Sequence, residues 1–401
     1  MATASISISR APERPSSLTS DDLFAGTYAR GGAAGAVTAE AWVSAMVDAE
    51  AALAAACVVE GLIRPAAGEA ILRALREGPL DVAAIAADAG EHATPVIALV
   101  RQLRERVGPE FADSVHLGAT SQDIVDTAAM LVSQRALEPI LSDASAAAGA
   151  AAKLALEHRV TPMVGRTLLQ QALPTTFGLV AAGWLVSLEQ SCTELERIRD
   201  GVLAVQMGGP VGARSPQIAA RVARTLGLVE PALPWHTDRT RVVQLAAALG
   251  ALAGAAAKIG RDVSLLSQSE VAEAREGGAG RGGSSALAHK RNPVAAVSVL
   301  ACAHRVPGLV ATLFAGMEQE HQRAAGAWQA EWGTLSELLA LTGSAAAWLA
   351  DLLQNLEVDP TRMRDHLAQL AAAGVGAAAD PTGQVATAAE LVDRALAEMR
   401  P

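Results

Sequence analysis

The chain has 401 residues, of which 51% are hydrophobic and only 3% aromatic, and it carries a formal net charge of −10. That length allows two or three domains around a large core, and the negative balance argues against nucleic acid or an anionic membrane as partner. With so few aromatics, Ala, Leu and Val must do the packing, and such small side chains let helices approach closely.

Residues 1–20 read as a disordered tail without the apolar stretch of a signal peptide. Residues 21–112 show short helical patterns broken near Arg64-Pro65, Gly78-Pro79 and Gly90, which predicts a small N-terminal helical domain. From 113 to 356 the pattern lengthens into five helical runs, at about 123–158, 174–200, 237–273, 293–322 and 329–355. Pro174 and Pro293 are expected to open long helices, Thr237 to cap the third, and Gly165, Gly208, Gly209 and Gly212 to mark loops at the bundle ends. No strand-period run longer than a few residues appears, so the predicted fold is all-α. Five such helices cannot bury their apolar faces in one layer, which calls for a bundle and for self-association. The apolar window 245–259, interrupted by Lys258, reads as a buried bundle helix, too short to span a membrane. Residues 357–401 form a C-terminal helical region with an Ala/Gly stretch at 371–379. Cys57, Cys192 and Cys302 lie in apolar runs and read as reduced core thiols of a cytoplasmic protein.

Three segments carry chemistry. The run from Gly282 to Pro293 has two glycines, then Ser284 and Ser285, then Lys290 and Asn292; a plain Gly/Ser linker would not need Lys290, Asn292 and Pro293 at those offsets. A loop of this kind can close over an anion and present Ser284 to one of its protons. The second segment runs from His116 through Thr120, Ser121 and Gln122 to Thr127, where hydroxyls and N–H groups at a helix start make a carboxylate site. The third is Gly165-Arg166-Thr167-Leu168-Leu169-Gln170-Gln171-Ala172-Leu173-Pro174. In order and spacing these resemble the three conserved regions of the fumarase/aspartase superfamily. The resemblance runs from about Asp22 to about Arg364, includes Leu233 to Arg239 and Glu318 to His321, and is closest to the branch of bacterial 3-carboxy-cis,cis-muconate cycloisomerases.

The resemblance implies a homotetramer whose core pools five long helices per subunit and whose sites each draw the three motifs from three subunits. It implies Ser284 as the catalytic serine, assisted by Lys290 and Asn292, with loop N–H groups of Gly282 and Gly283 stabilising its alkoxide. Ser285 would shape the loop, while Thr120, Ser121, Gln122 and Gln170 would hold substrate. His116, His289 and His321 are further candidates for the site lining, and Arg166 is either a charge partner of substrate or a structural clamp. Asp123 and Asp126 fit the helix start and packing, and Glu318, His321 and Arg323 are expected on one helix face. The family's Met-Pro in the serine loop is Leu287-Ala288 here, and several helices of the branch's C-terminal domain are missing.

One position separates branches. Superfamily members that expel an amine or hydroxide carry a histidine where this chain has Leu168, because such groups leave poorly without a proton. A carboxylate, whose conjugate acid has a pKa of about 4, leaves without that help. Lactone formation from a muconate is the reverse of such an elimination, so a cycloisomerase acting on 3-carboxy-cis,cis-muconate is the leading expectation. A lyase on another dicarboxylate with a stable anionic leaving group, such as a nitrosuccinate, satisfies the same argument, and a non-catalytic helical assembly protein ranks last. The substrate would be a small di- or tricarboxylate. No histidine has metal-ligand spacing and no phosphate loop occurs, so no metal and no cofactor are expected.

Overall fold

The computed structural model describes residues 23–278, 282–287, 290–372 and 381–399. Five helices come first: α1 (Ala25–Tyr28), α2 (Ala39–Val59), α3 (Pro65–Arg76), α4 (Val82–His92) and α5 (Val96–Val107). Their starts are chemically signalled. Thr38 and Asp81 accept the N–H groups of Ala41 and Ala84 at the starts of α2 and α4, and Pro65 opens α3, where its missing N–H is not needed.

The long elements follow: α6 (Ser121–Glu157), the hairpin β1 (Pro162–Thr167) and β2 (Gln170–Thr176), α7 (Phe177–Gly201), α8 (Pro216–Leu226) and α9 (Thr240–Leu266). Then come β3 (Ala274–Glu276), α10 (Val294–Ala303), α11 (Val306–Ala315), α12 (Ala327–Gln354), β4 (Leu356–Val358), α13 (Pro360–Ala372) and α14 (Pro381–Ala397). The protein is helical, with its described strands in two small antiparallel pairs, β1–β2 and β3–β4. α6 packs on α2, α7 and α12, while α9 packs on α7, α10 and α12. Along α6 the buried face includes Ala144, Ala147, Ala148, Ala151 and Ala155, so backbones come close and dispersion contacts accumulate without large side chains.

The chain passes up and down five times. α6 runs from Thr120 to His158, α7 returns, and α9 starts beside the α6 N-terminus, where His236 meets Asp123. α9 then runs away toward Glu273, which binds Arg166 of the hairpin. α10 and α11 return to the loop carrying His321, which accepts a hydrogen bond from Thr237, and α12 leaves again to place β4 against β3. At a rise of about 1.5 Å per residue, the two ends of the bundle are roughly 40–55 Å apart.

Four local expectations are corrected. Residues 162–176 form a hairpin, with Gly165 at a register shift between Val164 and Arg166; a Cβ on Gly165 would lie 2.8 Å from the Leu173 carbonyl. Pro174 therefore lies in β2, and α7 begins at Phe177 under a Thr176 cap. The fourth run is two helices parted at His304-Arg305, since Pro307 cannot donate to the ladder, and residues 316–326 leave the helix. Glu318, His321 and Arg323 consequently share no helix face. The residue at the α9 N-cap is Arg239, with Asp238 accepting the Thr240 N–H at 3.1 Å, so Thr237 caps nothing.

The argument from the length of window 245–259 also fails, because α9 spans 27 residues. By length and composition alone, Ala39–Val59, Thr240–Leu266 and Val294–Ala315 could each cross a membrane, although 56% of the best window in each of the first two is buried inside the fold.

Candidate active site

The α6 N-terminus is organised by one carboxylate. Asp123, fully buried, accepts from the Thr120 N–H at 3.1 Å, from the Gly208 and Gly209 N–H groups at 2.9 Å each, and lies 2.8 Å from His236 Nε2. A helix cap, a glycine turn and the entry to α9 thus share one acceptor, and Gly209, at φ 69°, takes a backbone conformation that suits only glycine cheaply.

Gln122 is buried beside it. Its Nε2 donates to Asp126 Oδ2 at 3.1 Å and to the His236 carbonyl at 2.7 Å, which turns Oε1 toward Arg323 Nη1 at 2.9 Å. The other Arg323 nitrogen donates to the Gly209 and Pro210 carbonyls, and burial pulls this guanidinium below its ordinary value while Asp123 and Asp126 oppose. Beneath lies a buried network. Arg239 binds Asp126 at 2.9 and 3.0 Å and Glu331 at 2.5–3.2 Å. Burial alone would lower the Arg239 pKa, but the two carboxylates more than offset it and hold it above the ordinary range. Burial raises Glu331, against the pull of Arg239. Trp328 donates to Asp126 at 2.9 Å and meets Trp332 edge to face at 4.8 Å, and Trp235 lies under Arg239 at 4.8 Å.

At the same end, His116 (φ 62°) places Nδ1 2.5 Å from Oε1 of the buried Glu50. Ser121 is the first residue of α6, and His321, at φ 46°, is exposed in the returning loop. The structure thus gathers His116, Thr120, Ser121, Gln122 and His321 at one end of the bundle.

The other motifs lie at the opposite end. Arg166 is gripped by Glu273 through two bonds of 2.8 Å, and His366 Nδ1 lies 2.6 Å from the same buried carboxylate. Gln170 is exposed, paired with Thr167 across the hairpin turn. The turn itself is Leu168-Leu169, both left-handed (φ 50° and 65°) and 97% and 73% exposed, so two leucines occupy positions that favour Asn and Gly and show their side chains to solvent. The serine loop hangs between β3 and α10, whose first N–H groups are capped by Glu276.

In that loop Ser284 Oγ accepts the Ala286 and Leu287 N–H groups at 3.3 and 3.2 Å. The donors aimed at this oxygen come from downstream residues. Gly282 and Gly283, expected in that role, do not supply them, because Gly282 (φ 75°) turns its carbonyl to the Asn292 N–H at 2.8 Å. Lys290 and Ser285 are exposed and Asn292 is half-buried. His289 and Ala288 lie outside the described residues. Sequence reasoning missed His236, Arg239 and Arg323 as organisers of the first end; the run from Trp235 to Arg239 was their available signal.

Within one chain, then, the residues of the first motif stand at one end of a long-helix bundle, and the serine loop with an apolar-tipped hairpin stands at the other. Such an arrangement defines a helical lyase of the fumarase/aspartase type. The description of the matching family is lyase; its model fits residues 27–308, and the chain belongs to this family. Among its relatives, the 3-carboxy-cis,cis-muconate cycloisomerase of Bradyrhizobium diazoefficiens is 46% identical over 333 residues, covering 80% of this chain and 74% of that one. The nitrosuccinate lyase of Streptomyces davaonensis is 41% identical over 382 residues, covering 90% and 80%. The crystal structure of the 3-carboxy-cis,cis-muconate lactonizing enzyme from Pseudomonas putida superposes with a TM-score of 0.82 at 37% identity, covering 94% of this chain and 88% of that one.

Proposed function

We propose that this protein is a cycloisomerase that closes 3-carboxy-cis,cis-muconate to a carboxymuconolactone. The observation that carries the reading is Leu168 at the hairpin tip, exposed and unable to donate a proton, where chemistry with a poor leaving group would need an acid. In lactonisation a substrate carboxylate oxygen adds to the alkene carbon β to a second carboxylate. The alkene π electrons move toward that second carboxylate, and the α carbon takes one proton. Trianion plus proton becomes dianion. Ser284, whose oxygen already accepts two backbone N–H groups, is the group proposed to deliver that proton, with Lys290 neutralising the aci-carboxylate and Asn292 holding it. The kinship with cycloisomerases over 80% of the chain supports the same reading.

The roughly 40–55 Å between the bundle ends supports sites completed by other copies. Thr120, Gln170 and Ser284 of one site would come from different chains of a homotetramer, and a leucine pair that the single chain leaves bare suits insertion into a neighbour. Cys57, Cys192 and Cys302, all buried thiols, support a reducing, cytoplasmic setting.

The test is loss of the ultraviolet diene band of 3-carboxy-cis,cis-muconate, with Ser284→Ala alongside. Wild type should bleach the band and Ser284→Ala, still assembled, should not; a variant that retains turnover would remove Ser284 from the chemistry. A second reading, elimination of nitrite from nitrosuccinate, is favoured by the alignment with that lyase, which spans 90% of the chain against 80% for the cycloisomerase. Nitrite and fumarate release distinguishes it.

A further inference from the structure

Arg214 belongs to none of the three motifs, yet it sits against the first. Its guanidinium lies on the backbone of Gly118: a Cβ added there would be 3.5 Å from Nη1, 3.6 Å from Cζ and 3.7 Å from Nη2. Gly118 has φ 66°, a backbone conformation that favours glycine, and the turn it makes sets the loop from His116 to Thr120 against this guanidinium. Nη2 reaches Cys57 Sγ at 3.3 Å, while Nη1 is shielded from solvent and has no hydrogen-bond partner. Among the described residues no carboxylate pairs with Arg214, and Glu50, an acid nearby, is taken by His116. Arg323, by contrast, has its nitrogens directed at Gln122, Gly209 and Pro210. A guanidinium against the first-motif loop, with a buried donor left unsatisfied and no carboxylate paired to it, lacks an acceptor, and an anion is the strongest one it could take.

We infer that Arg214 forms a subsite for a third carboxylate, making it the residue that selects a tricarboxylate over a dicarboxylate. This rests on the cycloisomerase reading. There, one substrate carboxylate becomes the lactone ester and a second carries the aci charge, while the third takes no part in bonding and needs only a cation.

The experiment is calorimetric binding of two unreactive probes, tricarballylate and glutarate, to the assembled wild type, Arg214→Gln and Arg214→Lys. Losing a charge-assisted contact should weaken tricarballylate about tenfold in Arg214→Gln, with glutarate unchanged and Arg214→Lys intermediate. Equal weakening of both probes, no weakening of either, or a wild type without preference for tricarballylate overturns the subsite. A wild type that shows the Arg214-dependent preference but forms no lactone overturns the cycloisomerase reading and leaves the subsite standing.

Discussion

Replacing Asp123 by Ala strips one acceptor from four groups at once: the Thr120, Gly208 and Gly209 N–H groups and the His236 ring. Each hydrogen bond to a charged acceptor contributes about 1.5–3 kcal/mol, and a lost helix cap about 1 kcal/mol. Four bonds sharing one carboxylate are not additive, because the first loss already lets the loop relax. The expected cost is therefore about 3–5 kcal/mol, the range for breaking a buried ionic contact by removing one side. Asp123→Asn keeps one carbonyl oxygen but turns an NH2 group toward other donors, so it should cost about half as much. Urea unfolding followed by far-ultraviolet circular dichroism measures this, at one fixed protein concentration because association would otherwise shift the midpoint. A loss below about 1 kcal/mol would mean that Gly208, Gly209 and His236 hold their places without the carboxylate, and that the hub described for this end is incidental.

Leu168→Asp alters a side chain that touches almost nothing within one chain, so helix content should stay the same. If the protein forms the proposed homotetramer and the tip seats in another copy, sedimentation velocity should show that tetramer giving way to smaller species, with activity falling in step; an intact, fully active tetramer refutes that seating. His158, buried edge-on to Phe177, is held by burial below the ordinary imidazole value of about 6.5, against the opposing charge of Glu157. Its folded state binds the proton more weakly than the unfolded chain, so its contribution is complete above about pH 6.5 and is lost as pH falls through the depressed folded value. Urea midpoints at about pH 7.5 and about pH 5 should therefore differ more for wild type than for His158→Gln, and equal differences would count against it.

The start of α6 was legible because Thr120, Ser121 and Asp123 are capping residues placed before a long apolar run, and the helix begins two residues before its predicted position. The hairpin was not. Its strands are short, its turn is Leu168-Leu169 where Asn-Gly would have announced it, and Pro174 imitates a helix opener. The buried Arg239 network was equally hidden, since Asp126 and Glu331 lie 113 and 92 residues from the arginine and only the returning helices bring them together. For Arg166 the sequence left two roles open, and the partner that engages it, Glu273, is 107 residues away. Local chemistry could be read along the chain, whereas pairing across the bundle depends on which helix ends meet.

The tryptophans around Arg239 give the protein an optical property. Of its six, Trp235, Trp328 and Trp332 stand on or next to the network beneath the α6 N-terminus. Emission from indoles beside buried charges responds to small field changes, so these three report on the end that would receive carboxylates. Occupancy at that end can be followed without a label, once the emission of Trp184 and Trp348, which lie toward the other end beside Asp262 and Arg30, is removed by substitution.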